Sequence, residues 1–411
     1  MIGMLLFAVP LCLNAQIKPT KSNDEGDKAK TEKTEIKVEK ANASEVKPEA
    51  PEKPGKPKGG FEMPKISGFV QGMYQANIDN EGDLVSNTFR MRRVRLSVEG
   101  TLFKGLTYKV QGDFSRSPML VDAFLKYKVC NEFAIQIGQF KTPFSLESPI
   151  NPVNLEIFDY GEGIQNLVGY NDVCGVGGLG RDLGIMATGD VIRIKDKDFS
   201  IINYAVGVFN GNGPVSTSNK GIDNNNRKDI VGRLNIHPGL KALTLSVSCY
   251  YGKYTKDEAN QGTRNRWSAG AQYSDGNFLV RGEYISGTTG YYPEMIDLFG
   301  NSIGRPTEYY RLSNGYYAVA GYNFKFGKEG KEQTLMPVLR YEHFAPGDMS
   351  PVIYGNDENP VKYGATNYYT VGINYWPLKS VNFKVDYSLI QQVVDESTFS
   401  HRVVGILSYK F

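Results

Sequence analysis

From Lys65 to the C terminus, apolar and polar residues alternate with a period of two. In residues 381–389, Val381, Phe383, Val385, Tyr387 and Leu389 fall on one face and Asn382, Lys384, Asp386 and Ser388 on the other. In residues 119–129, Met119, Val121, Ala123, Leu125, Tyr127 and Val129 oppose Leu120, Asp122, Phe124, Lys126 and Lys128. Such alternation specifies strands with one apolar and one polar face. Sixteen segments carry it: 65–78, 89–102, 106–116, 119–129, 133–140, 181–189, 199–210, 227–236, 243–254, 264–274, 277–287, 315–326, 334–344, 366–376, 381–391 and 400–411. Most are about twice the usual strand of roughly 5–6 residues. They match the roughly 9–11 residues a tilted strand needs to cross a bilayer. No run after the N terminus reaches the ~18 apolar residues of a spanning helix. The expected fold is all-β, a sixteen-stranded antiparallel transmembrane barrel.

The connections agree with this reading. Those at 103–105, 130–132, 190–198, 237–242, 275–276, 327–333 and 377–380 are short. On the other side lie 141–180, 211–226, 288–314 and 345–365, with a short exception at 117–118. Short periplasmic turns and long outer loops are the asymmetry of outer-membrane barrels. Phe411 ends the chain in phase with Tyr409 and Leu407, and a terminal aromatic of this kind is read by the barrel assembly machinery.

The first sixty residues are of another kind. Residues 1–15 read as a signal peptide, because the apolar stretch from Met4 to Leu13 is too short to span a bilayer. Residues 16–60 are rich in Lys, Glu and Pro and cannot bury enough apolar surface to order themselves. They are expected to form a disordered periplasmic tether, with Pro48, Pro51, Pro54 and Pro57 favouring an extended spacer. The barrel takes 61–411, with 141–180 as a loop that folds inward and narrows the lumen.

The composition leaves little for catalysis or cofactors. Three histidines and four cysteines offer no metal constellation, and no His stands with a matched nucleophile and acid. No enzyme, cofactor or metal is expected, and a net charge of +3 gives no argument for nucleic acid. The glycine run before Gly180 lacks the Lys-Ser/Thr ending of a nucleotide loop.

Alternation also sorts the charged residues. With Val94, Leu96 and Val98 toward lipid, Arg93, Arg95, Ser97 and Glu99 face the lumen, whereas Arg90 and Arg92 have the opposite parity and could meet lipid headgroups. The same rule places Lys109, Gln111, Asp113, Lys126, Lys128, Arg233, Arg281, Lys325, Arg340 and Lys384 inside, with Asp122, Glu283, Glu342 and Asp386. An excess of fixed positive charge in a narrow aqueous pore raises the local anion concentration. Each such Arg could equally be held in an ion pair along the wall. The candidate solute pathway comprises Arg93, Arg95, Lys109, Lys126, Lys128, Lys141 and Arg340.

Three stretches carry a family resemblance: 89–100, with its Arg92-Arg93 pair; 138–147, from Gly138 through Lys141 to Glu147; and 180–184, Gly180 to Gly184. Together they resemble the phosphate-selective porin O and P family across 61–411. The resemblance implies a sixteen-stranded porin in the outer membrane, surrounded by its lipid, usually a homotrimer, passing small anions such as phosphate. A non-selective or other-solute channel, or an adhesin-like barrel with aromatic outer loops, remains the alternative.

Overall fold

The computed structural model describes residues 63–411 apart from 80, 118, 175–177, 195–198, 215–226, 256–260, 292–293, 297–298, 300, 305–308, 329, 349–351, 355–356, 359–362 and 394–396. The signal peptide and the tether expected at 1–15 and 16–60 lie outside the described residues.

Sixteen antiparallel strands form the wall: β1 (Lys65–Ile78), β2 (Leu84–Phe103), β3 (Leu106–Asp113), β4 (Leu120–Lys128), β5 (Ala134–Lys141), β6 (Arg181–Ile194), β7 (Phe199–Phe209) and β8 (Asp229–Ile236) make the first half. The second half is β9 (Leu243–Thr255), β10 (Gln261–Ser274), β11 (Phe278–Tyr291), β12 (Tyr309–Tyr322, resuming at Phe324–Phe326), β13 (Gln333–Ala345), β14 (Ala365–Leu378), β15 (Val381–Val393) and β16 (Ser397–Lys410). Each pairs with its neighbour in sequence, and β1 pairs with β16 from Phe69↔Lys410 to Ile78↔His401, which closes the barrel. Four short strands at the outer rim, Glu294–Ile296, Ser302–Gly304, Val352–Tyr354 and Asp357–Glu358, join two outer loops in a small separate sheet. No helix among the described residues is long and apolar enough to cross a membrane.

Several strands differ in extent from their sequence pattern. β2 and β12 start several residues earlier than 89 and 315. In β12 the added residues still alternate, with Tyr310 and Leu312 exposed and Arg311 and Ser313 buried. The interruption of β12 at Asn323 has a backbone cause. The register puts Pro337 opposite Tyr322, and proline has no N–H to complete the ladder.

The faces segregate as the alternation requires. On β15, Val385 is 58% exposed on the outer face, whereas Ser388 is buried inside and shares a 2.8 Å hydrogen bond with Thr370. Inside, Gln111 donates to Ser97 at 2.5 Å, Gln71 donates to Ser408 at 3.1 Å, and the Ser248 and Ser268 hydroxyls are 2.6 Å apart. Val385→Arg should therefore cost about 2–4 kcal/mol of insertion if it sits near mid-membrane. The check is the fraction of heat-modifiable, folded barrel in lipid vesicles; an unchanged fraction would contradict the assigned face.

The seam depends on a glycine. Phe411 N–H donates to Gly68 O and Gly68 N–H to Phe411 O, both at 3.0 Å. A Cβ on Gly68 would come within 2.5 Å of both Arg95 O and the Phe411 ring. Gly68→Val should block seam closure and strongly reduce the folded fraction on electrophoresis without heating. Wild-type yield would show that the ring can move aside.

One assignment is corrected by a bulge. Gln71 pairs with Arg93 but the next residue, Gly72, pairs with Met91, so Arg92 is an extra residue in β2. A bulge re-aims a side chain that strict alternation would send outward. Arg92 turns inward, forms an ion pair with Asp159 and lies 5.3 Å from the Phe158 ring centroid. It does not reach lipid headgroups.

Candidate pore constriction

The long connection 142–180 crosses the interior, held by a ring of bonds to inward side chains. At its start Ser145 N–H donates to Ser248 Oγ at 2.9 Å, Leu146 N–H to Glu283 at 2.9 Å, and Arg233 donates to Ser145 O at 3.1 Å. Glu147 is fully buried between Arg340, at 2.5 Å, and Arg281, at 3.2 Å. Glu156 adds a second carboxylate to Arg281 at 2.6 Å. Lys384 donates to Leu155 O and Ile157 O, and Asn374 donates to Glu156 O at 2.7 Å. Asp159 meets Arg92 and Arg93, the latter at 3.2 Å. A short helix α1 (Glu162–Leu167) follows, with Gly163 close to the backbone of Gly315. Asp172 meets Arg266 at 2.5 Å before the chain returns to β6.

Apolar packing runs beside these charges. Phe144, Leu155, Ile157, Ile164 and Leu167 of the loop pack with Phe209, Val231, Ile285, Val319 and Val338. These wall residues break the polar-inside pattern because the loop, not water, covers them. Burial alone opposes the charge on Glu147, Asp159 and Asp172. Arg340 with Arg281, Arg92 with Arg93, and Arg266, respectively, outweigh it and hold all three carboxyls below their usual range. The loop is thus fastened by ionised carboxylates on guanidiniums.

The loop packs on the β7–β16 side and leaves a polar cavity of about 290 Å³ against β2–β6. Arg95, Lys109, Lys141 and Arg181 line it, with Asp122 the acid among them, and Pro149, Asn151 and Pro152 form the loop side. Arg181 grips Asp122 through Nε at 2.7 Å and Nη2 at 3.3 Å. Arg95 Nε meets Asp113 at 3.0 Å and its guanidinium lies 5.7 Å from the Phe69 centroid. Lys109 stands 4.0 Å from Glu99, a loose contact. Lys141 donates to Ser148 O, to Ile150 O at 3.2 Å and to Tyr160 OH at 2.9 Å, so carbonyls rather than a carboxylate hold its charge.

The seven pathway candidates therefore separate. Arg95, Lys109 and Lys141 meet at the cavity, and Lys126 and Lys128 lie on β4 toward its short-turn end without an ion pair among the described residues. Arg93 binds Gln71 and Asp159 at 3.2 Å each, under the loop. Arg340 lies apart, covered and bound to Glu147 and, at 2.7 Å, to Glu342. Sequence reasoning missed Arg181, although it lies in the 180–184 motif, because it sits where the loop ends and the alternation begins. It also missed Arg264 and Arg266, which share the inward face of β10 with Ser268, opposite the outward Trp267. That alternation was visible in the sequence. Cys249 lies exposed on the outer face and Cys174 is buried in the loop, both as free thiols. No metal-ligating group occurs among the described residues.

A closed sixteen-stranded barrel with a polar interior and a loop fastened across it is the architecture of an outer-membrane porin. The model of the phosphate-selective porin O and P family matches residues 65–398, and the chain belongs to that family. Solved structures agree at the level of fold. The anion-selective porin from Comamonas acidovorans matches at 14% identity and TM-score 0.56, over 85% of this chain and 99% of that one. OmpF of Salmonella typhi, in complex with daunomycin, matches at 13% and 0.55 over 85% and 98%. The trimer form of OmpT from Vibrio cholerae matches at 11% and 0.51 over 85% and 100%. No curated protein matches the chain. The protein is an outer-membrane channel protein of bacterial type.

Proposed function

We propose that the barrel provides a water-filled path for passive diffusion of small anions, phosphate among them, and that it works as a homotrimer. One observation carries the reading. The cavity left beside the loop is lined by four basic side chains and one acid, whereas Arg93, Arg266, Arg281 and Arg340 elsewhere on the wall are paired with loop carboxylates. Fixed charge in such a confined space enriches counter-ions and lowers the barrier to their passage. Arg95 and Arg181 are suited to phosphate because a guanidinium offers paired donors, and Lys109, Lys126 and Lys128 extend the positive path toward the periplasmic side. The family description and the anion-selective relative point the same way, and the trimer form of OmpT supports the assembly. In this reading Phe411 is the handle for barrel assembly, and 16–60 is a periplasmic spacer.

The test uses Lys109→Gln with Lys126→Gln and Lys128→Gln, none of which holds the loop. In planar bilayers at low salt, the triple variant should lose chloride conductance and respond less to phosphate block than wild type. Equal block and conductance in a correctly folded triple variant would favour a non-selective or other-solute channel.

A further inference from the structure

One lumenal residue does not fit the polar face it belongs to. On β4, Phe124 lies between Asp122 and Lys126 on the inward side and borders the cavity beside the loop. Val231, Val319 and Val338 also point inward as apolar residues, but each is 2% exposed or less beneath the loop. Phe124 is only partly covered: its ring meets Phe140 edge-on at 5.9 Å, and Phe140 itself is 3% exposed. The register explains the opening. On the β5 side Phe124 pairs with Gly138, which holds φ at +131° and where a Cβ would collide with Ala123 O. Position 138 therefore sends no side chain over the ring. On the β3 side the partner is Lys109, a cation.

The loop adds a second apolar surface. Pro149, which is exposed, and Pro152 border the same cavity from the loop side. Apolar surface that faces water gains when an apolar body covers it. Donors without full partners stand around this pair. Arg95 donates only Nε–H to Asp113, which leaves its two terminal nitrogens without a hydrogen bond among the described residues. Lys109 has only its loose 4.0 Å contact with Glu99. Gln136 is 7% exposed, lines the cavity and makes no side-chain hydrogen bond among the described residues. Arg181, by contrast, is fully engaged by Asp122 and Leu179 O.

Inorganic phosphate has no apolar surface to set against Phe124 or Pro149. The cavity, about 290 Å³, is close to the lower end of the clefts of roughly 300–1,000 Å³ that hold small organic ligands. Convergent polar donors beside an apolar slot are the composition of such a cleft. We propose that this cavity is a subsite for small organic anions with a flat apolar body, of the class of aryl phosphate monoesters. The ring lies between Phe124 and the loop prolines. The anionic head takes charge-assisted donors from Arg95 and Lys109, and the Gln136 amide donates beside them. The proposal rests on the anion-channel reading and names the class of solute that the channel favours.

Block of the chloride current in planar bilayers tests it, at about pH 8, where phosphate monoesters are dianions. Phenyl phosphate should block the wild-type channel at about three- to tenfold lower concentration than methyl phosphate, the range of a single aromatic contact. Glycerol phosphate, bulky but polar, should block like methyl phosphate. In Phe124→Ser, shown to be folded by heat-modifiability, the advantage of phenyl over methyl phosphate should fall to about one. Pro149→Ser, at an exposed loop position, should lower it as well and serves in its place if Phe124→Ser does not fold. Equal block by the phenyl and methyl esters in wild type, glycerol phosphate as strong as phenyl phosphate, or an advantage that survives both substitutions would overturn the ring subsite and leave the anion channel standing. A wild-type channel blocked by no phosphate, with a zero-current potential of the potassium sign, would retire the anion reading beneath it.

Discussion

Glu147→Ala should release the loop from the wall and give a channel of larger, noisier conductance. The carboxylate is buried between two guanidiniums and also accepts Gly161 N–H at 3.1 Å. Breaking a buried pair typically costs about 3–5 kcal/mol when the remaining charge is left without compensation, and less where that charge keeps a second partner. Arg281 keeps Glu156 and Arg340 keeps Glu342, so the loss falls on loop seating rather than on the strand ladder. Single-channel recording checks conductance, and heat-modifiability checks that the barrel stays folded. Wild-type conductance from a folded variant would show that the apolar contacts of Phe144, Leu155, Ile164 and Leu167 suffice to hold the loop. Acid should act in the same direction. The three latch carboxyls are held below their usual range, so their contribution is full above the unfolded pKa of about 4 and fades as pH falls through the lower folded value. Open-channel noise should stay flat down to about pH 4 and rise only below it.

A second large effect is expected from Arg95→Gln combined with Arg181→Gln. The pair removes two of the four cations lining the cavity and deprives Asp122 and Asp113 of their closest guanidiniums. The local charge changes both by loss of positive groups and by exposure of negative ones. The reversal potential in a salt gradient should move toward cation permeation, more than for the lysine triple variant, which frees no comparably bound acid. The shift should be largest in dilute salt, since the screening length falls from about 30 Å at 0.01 M to about 3 Å at 1 M. A variant that loses stability but keeps its wild-type reversal potential would mark these arginines as wall ties.

Strand count, closure and sidedness were legible in the sequence because lipid on one face and polar lumen on the other impose the same two-residue rhythm on every strand. What was hidden depends on where the loop goes. Arg93 and Arg340 look like pore residues by alternation, but their partners Asp159 and Glu147 come from a segment with no rhythm of its own. Val231, Val319 and Val338 point inward as apolar residues, which makes sense only once the loop covers them. Arg92 escaped because a bulge shifts parity by one residue, and no local composition announces it. Arg181 gained its place only when β6 was set across β5 from β4, within reach of Asp122.

The central claim is that the open sector of the lumen favours anions. The most direct test is the zero-current potential of the wild-type channel across a tenfold potassium chloride gradient at low ionic strength. The account predicts a potential of the sign set by chloride permeation, reduced toward zero when both sides are raised toward 1 M with the gradient ratio kept, and displaced by added phosphate. A potential at zero or of the potassium sign in dilute salt, from channels shown to be folded, would contradict it.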